Sequence, residues 1–118
     1  MKALIFAAAM TIAGAAFGGE ADVIAVKPTR ESGNSWRFDV TVKSNDTGWK
    51  HYADAFEVLT PDGKLLGRRI LYHPHETEQP FTRSLGGVKI PAEVKTVVVR
   101  ARHKPRGYDG ETMTVRLP

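Results

Sequence analysis

Residues 36–43, WRFDVTVK, alternate apolar and polar side chains without a break. Trp36, Phe38, Val40 and Val42 would face one side, and Arg37, Asp39, Thr41 and Lys43 the other. A period of two is that of a strand with one buried and one wet face. TMTVRL at 112–117 repeats the pattern, with Met113, Val115 and Leu117 inward. In TVVVRARH at 96–103, Val97, Val99, Ala101 and His103 oppose Thr96, Val98, Arg100 and Arg102. His103 therefore falls on the apolar face, at the end of its strand.

FEVLT (56–60) and LLGRRILY (65–72) flank Pro-Asp-Gly-Lys, a sequence that favours a tight reversal and predicts a hairpin. ADVIAVK reads as an opening strand that stops at Pro28, because proline gives up a ladder donor. FTRSL (81–85) and VKI (88–90) read as two short extended pieces separated by a turn at Gly86-Gly87. No segment beyond the N-terminal block carries a 3.6-residue apolar stripe. About seven short strands with frequent turn chemistry predict an all-β fold, an antiparallel sandwich of the immunoglobulin/fibronectin-III-like class. A small barrel is the alternative.

The first nineteen residues stand apart. One positive charge at Lys2 precedes an apolar run, ALIFAAAMTIA, and then a small-residue stretch from Gly14 to Gly19. That order is the one a secretory signal peptide has, and the run is too short to span a bilayer. The expected organisation is a signal peptide at 1–19 and one β-sandwich domain at 20–118, not membrane-spanning once processed. Cleavage after Gly18, with Ala16 at −3, or after Ala21, with Gly19 at −3, satisfies the small-residue rule. The expected location is periplasmic or secreted.

Composition narrows the chemistry. The chain has no cysteine, which excludes thiolate metal sites, thiol catalysis, disulfides and a lipidated thiol. The net charge is +4, and Lys2 is the only charge in residues 1–19, so processing lowers it by one. So slight a basic bias does not suit nucleic-acid binding, and no nucleic-acid partner is expected.

Candidate chemistry centres on four histidines. His73 and His75 flank Pro74, and at spacing i, i+2 in extended backbone both imidazoles project to one side. Such a pair can hold copper(II), nickel or zinc if further ligands arrive from elsewhere. His51 and His103 are the distant candidates, and Asp54 and Glu76 are the carboxylates placed to orient the ligands. A polar turn whose imidazoles hold loop backbone is the competing reading. Trp49, Tyr52, Tyr72 and Phe81 lie near the histidines in sequence and could form a recognition patch or plug the core. Arg100, Arg102, Lys104 and Arg106 share one parity; Pro105 argues against one continuous basic ridge, and Glu57, Glu93 and Glu111 are available as cross-strand partners. The serines lack a nucleophile elbow, and no phosphate-binding glycine loop is present, so an enzyme is not expected.

Three passages carry a resemblance: TGWKHYADAFEV (47–58), HPHETEQPFTRSL (73–85) and RARHKPRGYDGETMTVRL (100–117). Together they resemble an uncharacterised family of small exported bacterial all-β proteins. The resemblance implies an export signal and a β domain, and it carries no catalytic residue over. The expected function is an exported binding or accessory module, with copper or zinc on the clustered histidines. The alternative is a metal-free envelope domain that uses a sheet edge or the aromatic loop to bind a protein.

Overall fold

A computed structural model describes residues 10–12 and 19–118. The rest of the segment read as a signal peptide lies outside the described residues. The strands are β1 (Met10–Ile12), β2 (Ala21–Ser32), β3 (Ser35–Ser44), β4 (Tyr52–Leu59), β5 (Leu65–Ile70), β6 (Phe81–Lys89), β7 (Thr96–Lys104) and β8 (Met113–Arg116). One sheet has the order β2-β3-β6 and the other β1-β8-β7-β4-β5, with every neighbouring pair antiparallel. Lettered from β2, the sheets read A-B-E and G-F-C-C′, the three-plus-four division of fibronectin type III modules. The expected sandwich is therefore the fold, and the barrel is not.

Alternation sets the core. Trp36, Phe38, Val40 and Val42 are buried from β3, Val97, Val99 and Ala101 from β7, and Met113 and Val115 from β8. They meet Phe56 and Val58 of β4 between the sheets. Two local expectations change. β2 does not stop at Pro28 but runs on to Ser32, with Pro28 opposite Phe38. It is an edge strand, and an edge tolerates proline because the nitrogen facing outward has no ladder bond to lose. Gly86-Gly87 is not a turn between two pieces. The register moves from Trp36↔Val88 to Phe38↔Leu85, so β6 carries one extra residue, a bulge that Gly87 accommodates at φ +67°.

The 60–64 reversal is a hairpin turn as expected, closed by Thr60 N–H on the Lys64 carbonyl at 2.8 Å, with Gly63 at φ +96°. β7 ends at Lys104, immediately before Pro105. Met10–Ile12 lies antiparallel on the outer edge of β8, with Thr11 opposite Thr114. No helix among the described residues is long and apolar enough to cross a membrane.

Candidate functional site at the loop end of the sandwich

Strand direction gathers the histidines. Ala21 pairs with Ser44, Val42 with Phe81, and Tyr52 with Lys104, so the ends of β3 and β7 and the starts of β2, β4 and β6 share one end of the domain. Loops 45–51, 71–80 and 105–112 leave from that end. Between them, these loops and the last turn of β7 carry all four histidines.

The four do not converge. They form two pairs, His73 with His75 at a ring separation of 4.8 Å and His51 with His103 at 6.3 Å. Among the described residues no three His, Asp or Glu side chains are grouped to hold a metal ion. The reason lies in loop 45–51, where successive residues face opposite ways. Asp46 turns toward His75, while Asn45, Thr47 and His51 turn toward His103.

The first half is a filled polar core. Asp46 accepts from Ser44 Oγ at 2.6 Å, Ala53 N–H at 3.0 Å and His75 N–H at 2.8 Å. Gln79 completes the staple: its Oε1 accepts from Ser44 N–H at 2.9 Å and its Nε2 donates to the His75 carbonyl at 2.9 Å. The ring of His75 is buried and stacks on Phe81, with centroids 4.0 Å apart and planes at 10°. Its Nε2 lies 3.1 Å from an Arg83 guanidinium nitrogen, a donor only, so that nitrogen is the acceptor and the proton sits on Nδ1. Burial first, then the charge of Arg83 and the neighbouring His73, lowers the His75 pKa below its ordinary value. Asp46 acts in the opposite direction, at 3.9 Å from Nδ1, and is outweighed. A metal at Nε2 would have to displace Arg83, and His73, on the exposed side, approaches the Pro74 carbonyl with Nδ1 at 3.2 Å. The His73–His75 segment is held as loop backbone by Asp46 and Gln79.

The second half is open. His103 is 2% exposed, yet neither ring nitrogen has a hydrogen-bond partner among the described residues. Its backbone exchanges bonds with Gly107 at 2.8 and 2.6 Å, which closes the turn after β7 and fixes the ring at the rim. The ring borders a cleft of about 280 Å³ lined by Glu20, Asn45, Thr47, His51 and Arg106. The Glu20 carboxylate is 4.0 Å from His103 Nε2. Sequence parity identified His103 but gave no hint of Glu20, whose neighbour Ala21 opens β2 against Ser44.

The remaining candidates separate by burial. Phe81 and Tyr52 are buried and complete the core, whereas Trp49 is 62% exposed and Tyr72 76%. Asp54 does not orient a histidine, because its carboxylate takes the Arg102 guanidinium through two bonds of 2.9 and 3.0 Å. Glu76 is exposed and approaches Gly48.

The basic strand face is neutralised from its centre. Glu57 is fully buried on β4, opposite Arg68 of β5 and Arg100 of β7. Its Oε2 accepts from Arg68 at 2.5 Å and Tyr108 Oη–H at 2.9 Å, and its Oε1 from Arg100 at 2.8 Å. Burial raises its pKa, but the bonds from Arg100, Arg68 and Tyr108 together outweigh burial and hold it below the ordinary carboxylate value. The Arg100 guanidinium also lies 3.7 Å over the Tyr108 ring. Glu57, one of the three carboxylates available across the strands, takes both Arg68 and Arg100.

The chain is similar to a curated protein of Halomicrobium mukohataei described as a "Putative lipoprotein", at 41% identity over 96 residues. The match covers 81% of this chain and 47% of that protein, so the chain spans about half the length of the curated relative it matches. No family model matches the sequence, and no solved structure matches it.

Proposed function

We propose that this is an exported envelope module that binds a protein partner through its loop end and carries no catalytic chemistry. One observation carries the reading: Trp49 and Tyr72 stand exposed on loops whose bases are pinned by Asp46 and Gln79. Rigidly held loops that display large aromatic rings suit recognition, because such rings offer contact area at small entropic cost. The export reading draws support from the N-terminal pattern and from the printed name of the relative. Photo-crosslinking residues placed at 49 and 72 should each give a discrete adduct in the envelope, and one at Leu65, at the opposite end, should give none. The same ladder from all three positions, or no adduct, contradicts the proposal. Trp49→Ala should change unfolding free energy by less than about 0.5 kcal/mol, as exposed substitutions do.

A second reading rests on His103. Its unpartnered nitrogens, with His51 and Glu20 across the cleft, offer two imidazoles and a carboxylate to copper or zinc after a small inward movement. Calorimetric titration with Cu(II) and Zn(II) tests it. Binding that survives His73→Ala/His75→Ala but is lost in His51→Ala supports this cleft, and no binding tighter than millimolar removes the metal.

A further inference from the structure

The continuous described chain from Gly19 opens on a tight junction, and a cut just before it would also release β1 from the edge of β8. Gly19 N–H donates to Asp22 Oδ1 at 3.0 Å, and Glu20 N–H donates to Asp109 Oδ1 at 3.1 Å. The Glu20 carbonyl accepts from Asn45 N–H at 3.1 Å, and Val23 N–H donates to the Glu111 carbonyl at 2.9 Å. Asp22 Oδ1 also accepts from Glu111 N–H at 2.8 Å. Two glycines permit this closeness. A Cβ on Gly19 would collide with the carbonyl and carboxylate of Asp109, and one on Gly110 with the carbonyl of Ala21 and the carboxylate of Asp22. Backbone of residues 19–21 and 109–111 is thus in contact, and Gly19 lies between two carboxylates.

We infer that the chain is cut between Gly18 and Gly19, and that the new α-ammonium of Gly19 seats between Asp22 and Asp109. This rests on the signal-peptide reading and adds the bond and the seat. Water adds across the peptide bond under an export peptidase; Gly18 leaves as the carboxylate, and the freed Gly19 amine takes a proton. One amide donor then becomes three donors with a positive charge, against two carboxylates that already bracket the position. The surrounding charges are Glu20 and Lys43, which line the adjoining hollow with Asp22, and Arg106, which reaches Asp109 at 3.3 Å. The alternative cut after Ala21 removes a residue that is 1% exposed and paired with Ser44, together with the Glu20 carbonyl that holds Asn45. The fold selects between two sites that small-residue spacing leaves equal.

Intact mass of the full chain, expressed in an exporting host and purified from the envelope, tests the bond. A mass starting at Gly19 is expected. A mass starting at Asp22, or at any other processed residue, overturns the inference and leaves export standing; an unprocessed chain overturns both. The seat is tested on protein beginning at Gly19. Its α-amine should titrate above the ordinary value of about 7.7–8.0, and Asp22→Asn/Asp109→Asn should return it to that range. Acetylating the amine of the unmutated protein should lower its melting temperature. An amine that titrates normally, with no effect of acetylation, contradicts the seat.

Discussion

Glu57 and His103 are both buried almost completely in one small sandwich, and they have opposite surroundings. Both oxygens of the Glu57 carboxylate are bonded, by two guanidinium groups and a phenol. Among the described residues, the ring of His103 has neither nitrogen bonded. A buried polar group without a partner costs about 1–3 kcal/mol, whereas a saturated one can contribute. Glu57 belongs to the structure of the sheet face. His103 has no such partners among the described residues and faces the cleft instead. A graded form of the contrast divides the loop end: Asp46 accepts three bonds, His75 has Nε2 bonded to Arg83 but Nδ1 without a hydrogen-bond partner among the described residues, and His103 has neither nitrogen bonded among them.

Removing a saturated hub should have the largest effect. Asp46→Ala strands the buried N–H groups of Ala53 and His75 and removes one of the two ties, Asp46 and Gln79, that hold loop 71–80, so unfolding free energy in denaturant should fall by about 3–5 kcal/mol. Glu57→Leu should cost less, about 2 kcal/mol, because Arg68 and Arg100 are more than a third exposed and can return to water. A fall as large as that of Asp46→Ala would put the hub of the domain on the sheet face instead of in the loops.

Acid should act through His75 first and Glu57 later. The folded pKa of His75 lies below the ordinary 6.5, so its contribution is present above that value and is lost as pH falls through 6.5 toward the folded pKa. Glu57, also depressed, acts in the same sense but only below the ordinary 4.5. Thermal melts between pH 7 and pH 5 should therefore show a decline that His75→Gln flattens. An unchanged slope in that variant would assign the acid sensitivity elsewhere.

Alternation along β3, β7 and β8 was enough to read the sandwich and most of its core from the chain. Pro28 and Gly86-Gly87 misled because each depends on what lies beside it: proline ends a strand inside a sheet but not at its edge, and paired glycines make a bulge when a partner strand continues past them. The histidines were legible as a group at one end. Their division was not, since it depends on which way residues 45–47 face. Asp46 drew no attention, because a Ser-Asn-Asp-Thr-Gly run looks like any polar turn. Glu57 was legible as a cross-strand partner of arginine, although pairing alone could not set its depth or add Tyr108.

The most direct test of the contrast is the stability of His103→Leu beside His75→Leu, measured by denaturant unfolding. The account predicts that His103→Leu leaves unfolding free energy unchanged or raises it by up to about 1 kcal/mol, because no hydrogen bond is lost and an unsatisfied buried group is removed. His75→Leu should lower it, having removed the acceptor for Arg83. A loss of more than about 2 kcal/mol in His103→Leu would contradict the account: it would make His103 a structural hydrogen-bonding residue and leave the cleft without its distinguishing feature.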